Sequence, residues 1–403
     1  GNAVLSTLVS YLLYSTILKG NVYFISQSIL RQGRKRKMKV VAAILVCFVV
    51  EAVFAGPAGQ SKEFICPDKP HDKDVEYFGS ICSIVAVNDY VLDASTGRFT
   101  QLTLFGQSEI MTNHALTDDC QAPLDQEDHQ TANKVVERMR TSNTKLGKFA
   151  DLFMINTHDS IEKLNPAFLD AFLSSLEKNN IQGVIITPYL EISVADTVKL
   201  LPELTKALKN KNMQVYFAAP AVKGEDLTDD VVQKMKLCDK IIMKTAKVSA
   251  KNNVHFDAPL DGGYTYTIRK TVAAYLAKGF GNNKLVGALS LDGAHYDLGV
   301  AKVDIELATF SMYCDMFNDE SYGWSTDKKG QCFYGHNEEE WVTVEIPETL
   351  DAKSKDMLSW ATGGIALYGT FLDNDGWERR CGVDRYALVT PIVNNLAKCG
   401  NLE

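Results

Sequence analysis

The sequence lacks the patterns that assign many chains to a functional class. It contains no Asn-x-Ser/Thr site for N-linked glycosylation, and no two of its cysteines have the Cys-x-x-Cys spacing of a zinc site. His158, His255 and His295 are scattered, and none lies beside a recognisable serine or cysteine nucleophile. Internal repeats and low-complexity linkers are absent as well. We therefore expect no metal, no cofactor, and no chemistry based on a serine or cysteine nucleophile.

Acidic residues and methionine are both missing from residues 1–37, which carry six Lys or Arg. Because secretion signals begin at an initiator methionine, and the first methionine is Met38, we interpret residues 1–37 as upstream sequence that does not belong to the natural protein. The alternative is a membrane anchor. However, the apolar run at residues 4–18 is shorter than the roughly 20 residues that span a bilayer.

Residues 38–55 have the pattern of a secretory signal peptide. Lys39 is followed by an apolar run and by a small-residue exit that ends at Ala55. Cleavage after Ala55 leaves 348 of the 403 residues, a length that fits one large barrel domain at residues 56–403. The sequence therefore predicts a secreted, extracellular protein, which we expect to be a monomer.

The charge of the mature chain is strongly negative. Removal of residues 1–55 takes the formal net charge from −8 to −14, because six positive charges leave with residues 1–37 while Lys39 and Glu51 cancel. Nucleic acids and anionic membrane surfaces are negatively charged themselves, so both are poor partners for such a chain. The expected partners are therefore neither nucleic acid nor membrane.

The mature chain has an even number of cysteines, which in a secreted protein indicates disulfides. Once Cys47 leaves with the signal peptide, eight remain: Cys66, Cys82, Cys120, Cys238, Cys314, Cys332, Cys381 and Cys399.

Short apolar runs alternate with amphipathic helical segments along the mature chain, which predicts a parallel β/α architecture. Two helical segments, residues 165–178 and 196–209, each have one apolar face. In the first segment this face consists of Phe168, Leu169, Phe172 and Leu176. In the second it consists of Val198, Leu201, Leu204 and Leu208. Eight strands close a (β/α)8 TIM barrel, and the eight candidates are residues 63–66, 82–87, 150–156, 182–187, 214–219, 240–244, 284–291 and 364–368.

Two segments are too long to be simple crossovers between a strand and the next helix. Residues 88–124 contain a hairpin pattern at residues 91–99. Residues 292–347 contain Cys314, Cys332 and several aromatic residues. Loops of this length usually carry function or fold by themselves, so we predict an inserted small α+β subdomain at about residues 292–346.

Several segments of the chain, in their order and spacing, resemble the glycoside hydrolase family 18 chitinases and the imaginal disc growth factors. In those chitinases the fourth barrel strand has the pattern D-G-x-D-x-D-x-E, which aligns here with Gly183 at the glycine. Five further segments match other barrel strands and the final helix of the family: residues 65–87, 240–243, 284–289, 341–355 and 363–396.

The chain departs from the family wherever the family contacts its sugar. The four acidic positions of the motif are occupied by Gln182, Ile185, Thr187 and Tyr189. The family's M-x-Y-D corresponds to residues 243–246, so Thr245 and Ala246 replace the tyrosine and aspartate that hold the substrate acetamide. Tyr368 replaces the tryptophan of the cleft floor, Asp292-Gly293 replaces a Tyr-Gly pair, and residues 154–157 replace S-x-G-G.

The resemblance implies a chitinase-like protein that does not hydrolyse chitin. Family 18 enzymes protonate the glycosidic oxygen with a glutamic acid while the substrate acetamide attacks the anomeric carbon. Tyr189 is a poor replacement, since an unperturbed phenol has a pKa of about 10. Glu191 is the candidate for a substitute acid, on the same face of the strand as Tyr189, and an active hydrolase of altered specificity that uses Glu191 is the alternative.

Two non-enzymatic functions remain open. The protein binds chitin or N-acetylglucosamine oligosaccharides, or it acts as a growth-factor-like or structural extracellular protein with a protein receptor. The candidate carbohydrate-binding residues are Tyr189, Glu191, Tyr264, Trp324, Trp341 and Tyr368. The resemblance also implies two disulfides, Cys66–Cys82 and Cys314–Cys381, and leaves three possible pairings for Cys120, Cys238, Cys332 and Cys399.

Overall fold

The structure, a computed structural model, describes residues 62–67, 74–95, 98–101, 126–155, 164–188, 194–245, 256, 258–291, 293–298, 305–308, 313, 316–360, 363–369 and 386–398. The expectations for residues 1–37 and for a signal peptide at 38–55 lie outside these ranges. Within them, no helix combines the length and the hydrophobicity that crossing a membrane requires.

The described strands are β1 Glu63–Cys66, β2 Ile84–Asp93, β3 Arg98–Gln101, β4 Gly147–Ile155, β5 Gly183–Pro188, β6 Gln214–Pro220, β7 Lys240–Lys244, β8 Leu285–Ser290, β9 Gly293–Asp297, β10 Ile305–Ala308, β11 Gly323–Asp327, β12 Cys332–His336, β13 Glu340–Val344 and β14 Gly364–Tyr368. The described helices are α1 Val75–Ile81, α2 Gln126–Ser142, α3 Pro166–Lys178, α4 Val194–Thr197, α5 Leu201–Asn210, α6 Asp229–Met235, α7 Ile268–Ala277, α8 Pro347–Ser359 and α9 Val389–Lys398.

Eight parallel strands form a closed barrel in the order β1, β2, β4, β5, β6, β7, β8 and β14. The barrel closes because β1 pairs with β2 on one side and with β14 on the other. This arrangement confirms the predicted (β/α)8 TIM barrel. Strands β1, β7 and β14 have the predicted bounds at both ends, whereas β2 is longer because it continues into the hairpin with β3.

Alternation along the strands separates the buried residues into two layers. The inner layer fills the barrel with mostly small and aliphatic side chains and two rings, Phe149 and Tyr216. At the N-terminal end of the barrel, the Tyr216 hydroxyl donates to the Glu63 carboxylate at 3.0 Å. Burial raises the pKa of Glu63. The larger outer layer packs the strands against the helices.

Both segments predicted to be helical contain helices, but the buried face of the first and the continuity of the second differ from the prediction. Asn165 caps α3 by accepting a hydrogen bond from the Ala167 amide at 2.9 Å. The buried face of α3 includes Leu173, while Phe168, predicted on that face, is 40% exposed. The predicted continuous helix at residues 196–209 is wrong. It is divided into α4 and α5 because Pro202 has no N–H for the Val198 carbonyl and its ring crowds that carbonyl.

A second sheet lies in the chain between β8 and α8, where the sequence predicted an inserted subdomain. Its strands are antiparallel in the order β10, β9, β13, β12 and β11. One face packs on Tyr313 and Phe317 to form a separate core with Val342 and Val344. At its exit, the Lys353 ammonium, fully buried in α8, bonds to the buried Glu345 carboxylate.

The predicted Cys66–Cys82 disulfide is present, and it joins the end of β1 to the end of α1. Cys238, expected in one of three pairings, is instead a buried free thiol. Burial raises its pKa to about 12, so this thiol is protonated at neutral pH. Cys120, Cys314, Cys381 and Cys399 lie outside the described residues.

We predict that Gly183→Ala destabilises the barrel strongly. A Cβ at this position meets the Phe149 ring at 2.4 Å and the Gln214 carbonyl oxygen at 2.9 Å. Forced overpacking of this kind costs about 1–3 kcal/mol of unfolding free energy. Urea denaturation measures the change. Gly224→Ala is the matched control, because nothing lies within 4 Å of its Cβ position, and equal stability of the two variants contradicts the prediction.

Candidate functional site

The candidate site lies in the C-terminal half of the barrel, where TIM-barrel enzymes place their functional residues. Strand alternation continues the inner layer upward, from Phe149 to Asp151 on β4 and from Ile185 to Thr187 on β5. The same alternation reaches Lys244 on β7, Ser290 on β8 and Tyr368 on β14. We call this space the lumen, lined by Asp89, Asp151, Thr187, Lys244, Ser290 and Tyr368.

Asp151 and Thr187 are hydrogen-bonded to each other in the lumen. The Thr187 hydroxyl donates to Asp151 Oδ1 at 2.6 Å, and both side chains are buried. Asp89 pairs with Asp151 in the register of β2 and β4 and therefore faces the same side. Sequence reasoning missed Asp151. Its signal was one carboxylate within the apolar strand β4, two residues after the inward-facing Phe149.

The other wall of the lumen carries a cation. The Lys244 ammonium lies 4.8 Å from the centre of the Tyr368 ring, within the range of a cation–π interaction. Tyr368 therefore lies in the lumen. On β7, Ile242 and Lys244 face inward. Met243 packs in the outer layer.

Three of the four positions that align with the acidic residues of the family motif lie in the described part of the chain, and none of them places an acid in the lumen. Gln182 precedes β5, and its side-chain oxygen accepts a hydrogen bond from the Lys148 amide at 2.9 Å. Ile185 is part of the apolar inner layer. Thr187 is bonded to Asp151 as described. Tyr189 and Glu191, proposed from the sequence as binding residues, lie outside the described residues.

Trp341 and Tyr264 belong to a cluster of five rings on the second sheet. The loop after β7 contributes Phe256 and Tyr264, and the sheet contributes Tyr296, Tyr334 and Trp341. Their centroids are 5.2 to 5.7 Å apart in these contacts. We call this set the aromatic cluster. Both contributing segments follow the C-terminal ends of neighbouring barrel strands, so the cluster lies on the side of the barrel where the lumen opens.

Tyr264 is held in place by a hydrogen bond as well as by its ring contacts. Its hydroxyl donates to Asp327 Oδ2 at 2.8 Å, and desolvation, followed by the effect of Asp327, raises the pKa of Tyr264. The Leu260 amide also donates to the Gly330 carbonyl at 2.7 Å. These bonds fix the loop after β7 to the turn between β11 and β12.

Trp324 does not join the predicted binding residues. It packs in the core of the second sheet, stacked on Phe333 with centroids 5.3 Å apart and an interplanar angle of 12°. Its register partner is Gly335, where a Cβ would come within 2.7 Å of the Trp324 ring. Strand alternation turns this ring to the core face, and its role in sugar binding stays a prediction.

No group of three His, Cys, Asp or Glu in the described part of the chain is arranged to hold a metal ion. The arrangement offers instead hydrogen-bonding side chains inside the lumen and aromatic faces beside it. These are the two kinds of group that bind the hydroxyls and the apolar faces of sugar rings.

We predict that Thr187→Val lowers the stability of the barrel, because it leaves the buried Asp151 carboxylate without this donor. A hydrogen bond to a charged group contributes about 1.5–3 kcal/mol. Thr187→Ser keeps the hydroxyl and serves as the control. Urea denaturation followed by circular dichroism measures both variants. A valine variant as stable as the serine variant contradicts the prediction.

Comparisons with known proteins reveal a similar fold. No protein-family model matches the sequence, and no curated protein sequence matches it. The Group IV chitinase of Ostrinia furnacalis superposes with a TM-score of 0.62 at 15% identity, over 83% of this chain and 100% of that chain.

Human YKL-39, described as a pseudo-chitinase with retained chitooligosaccharide binding, has a TM-score of 0.63 at 14% identity, over 84% of this chain and 100% of that chain. The class V chitinase of Nicotiana tobaccum has a TM-score of 0.62 at 11% identity, over 83% of this chain and 99% of that chain. At such identities the similarity extends to the fold, which is that of chitinases and a pseudo-chitinase.

Proposed function

We propose that this chain is a secreted, chitinase-like protein that binds N-acetylglucosamine oligosaccharides and does not hydrolyse them. The observation that carries the proposal is the Thr187–Asp151 hydrogen bond in the lumen. A neutral hydroxyl stands at a motif position where the chitinases have an aspartate, and it binds the buried carboxylate of the neighbouring strand.

The chemistry of glycoside cleavage explains why this arrangement favours binding over hydrolysis. A general acid must lie within about 3 Å of the leaving oxygen and have a raised pKa, and it contributes about 10²- to 10⁴-fold to the rate. Asp151 accepts a hydrogen bond from the Thr187 hydroxyl and comes from a different strand than the family's acid. Tyr189 at the donor position is a phenol, a much weaker acid.

Support for sugar binding comes from the groups that surround the opening of the lumen. Tyr368 lies at the top of the inner layer, and Trp341 and Tyr334 are half-buried in the aromatic cluster. Partly exposed rings of this kind bind the apolar faces of sugar rings. YKL-39, similar in fold, is a pseudo-chitinase described as retaining chitooligosaccharide binding, which makes this ligand class the first to test.

Two other functions remain as alternatives. A growth-factor-like or structural role with a protein receptor is favoured by the departures at most of the family's sugar-contacting positions. An active hydrolase of altered specificity requires Glu191 to act as the acid. Secretion is part of the proposal, and the Cys66–Cys82 disulfide supports it because disulfides persist in oxidising compartments.

We predict that the mature protein does not release fluorophore from a fluorogenic chitooligosaccharide, and that Tyr189→Glu does not restore turnover. A new acid in a site that lacks its aspartate partner does not recover catalysis, because groups that act together are strongly non-additive. An active chitinase in the same assay is the positive control. Turnover by the unmodified protein that is lost in Glu191→Gln refutes the proposal and establishes the hydrolase alternative.

We predict that Trp341→Ala weakens binding to N-acetylglucosamine oligosaccharides by about tenfold, a factor that corresponds to about 1.4 kcal/mol. Isothermal calorimetry and chitin pull-down measure the loss. Trp360→Ala is the matched control, since Trp360 is an exposed tryptophan at the end of α8, away from the aromatic cluster. Absence of binding by the unmodified protein favours a protein partner instead.

A further inference from the structure

Lysines are concentrated at the N-terminal end of the barrel, opposite the opening of the lumen. Three neighbouring strands, β6, β7 and β8, follow the loops at residues 211–213, 236–239 and 278–284. Together with the first residue of β7, these loops contain five lysines and one acid, in a chain whose formal net charge is −8. We call the five lysines the lysine face: Lys211, Lys236, Lys240, Lys278 and Lys284.

Side-chain contacts hold the last two of these loops together. The Lys284 ammonium donates to the carbonyl oxygens of Lys236 and Cys238, at 3.2 Å each. The Lys236 ammonium lies over the Phe280 ring, 5.6 Å from its centre, and 3.8 Å from the position that a Cβ at Gly279 would occupy. Positive charges from neighbouring loops therefore lie close together at this end of the barrel.

Two lysines of the face are neutralised by carboxylates of neighbouring elements. The Lys211 ammonium lies 2.9 Å from the Glu177 carboxylate at the end of α3. The Lys240 ammonium lies 3.7 Å from the Glu63 carboxylate at the start of β1. These ion pairs leave the charges of the other three lysines to be accounted for.

The other three lysines have no such partner. Asp239, the acid of these loops, is paired with Lys209 of α5 at 2.9 Å. Lys236, Lys278 and Lys284 form no ion pair with any residue that the structure describes. Their side chains are partly exposed to solvent. The lysine face therefore presents a positive potential on a chain that is acidic as a whole.

A narrow anionic polymer fits this face better than an extended anionic surface does. Salt screens electrostatic attraction over about 8 Å at physiological ionic strength, so a polymer that follows the three loops interacts mainly with the lysines. An extended surface such as a membrane also meets acidic groups on the rest of the chain and is repelled by them.

The aromatic content of the loops distinguishes between two kinds of polyanion. Proteins bind single-stranded nucleic acids by stacking bases on aromatic side chains as well as by charge. Phe280 is the aromatic residue of these three loops, and it is 4% exposed. Sulfate groups of a polysaccharide require only ammonium groups, which bind oxyanions as point charges.

We propose that the lysine face is a second binding surface, which binds a sulfated polysaccharide at the end of the barrel opposite the lumen. This surface shares no residue with the lumen or with the aromatic cluster. Its function is therefore independent of the proposed binding of N-acetylglucosamine oligosaccharides.

The test compares dextran sulfate with dextran of the same chain length, because the two polymers differ in their sulfate groups. Isothermal calorimetry measures the affinity of the unmodified protein and of a double variant, Lys236→Gln with Lys278→Gln. Neither of these two side chains donates a hydrogen bond to a described residue, so the bonds made by Lys284 are retained. A second double variant, Lys236→Arg with Lys278→Arg, keeps both charges.

The matched control is the double variant Lys328→Gln with Lys329→Gln. These two lysines are exposed in the turn between β11 and β12 of the second sheet, and their replacement changes the net charge by the same amount. Thermal unfolding of each variant verifies that the protein is folded.

We expect the unmodified protein to bind dextran sulfate and not dextran. The affinity falls between about 50 mM and about 200 mM salt, because counterions are released when a polyanion binds. The glutamine double variant weakens binding about tenfold, since a surface ion pair contributes up to about fivefold. The arginine double variant and the control retain the affinity of the unmodified protein.

Absence of binding to dextran sulfate, or an affinity that the glutamine double variant leaves unchanged, overturns the inference. Equal weakening by the control also overturns it, because the attraction then follows net charge and not this face. Tighter binding to a single-stranded oligonucleotide or to vesicles that contain phosphatidylserine overturns the choice of partner. If the glutamine double variant does not fold, Lys278→Gln alone decides, with an expected loss of about threefold.

Discussion

The packing of Phe149 and Tyr216 above the N-terminal end of the barrel fixes the position of the lumen. The two rings meet edge to face, 5.0 Å apart, and Phe149 lies where a side chain at Gly183 would otherwise be. The glycine of the family-like motif therefore has a packing role here, independent of any catalytic residue. Because these two rings fill the middle of the barrel, the polar side chains of the lumen lie above them, toward the C-terminal ends of the strands.

Polar side chains in the lumen are held by partners within the barrel. Asp151 accepts a hydrogen bond from Thr187, and Lys244 lies over Tyr368. These contacts orient both side chains inside the barrel. The fold alone is compatible with binding and with catalysis.

The sequence was sufficient to predict the barrel and insufficient to predict which side chains line it. Strands β7 and β14 were predicted at both ends, because short β-branched runs between helices carry a strong signal. The inward face of β7, with Ile242 and Lys244, was not predicted, since a resemblance over a few residues does not specify which residues alternate inward. The bulge between Ala86 and Asn88 brings Asp89 to the side of Asp151, and bulges have no clear pattern in sequence. The packing of Trp324 on the core face was not predicted for a related reason, because its face depends on the pairing with Gly335.

Alternation also gives one strand of the second sheet two faces with different packing. On β13, Val342 and Val344 face the core of the sheet, while Trp341 faces the aromatic cluster. The next residue after this strand, Glu345, bonds to Lys353 and Thr349 of α8. Loss of one partner from such a buried pair is costly because the other charge remains in a medium of low polarity. The strand that carries Trp341 is therefore anchored to the barrel helix at its end, so that the opposite face and the ion pair hold the strand in place when a residue on the cluster face is substituted.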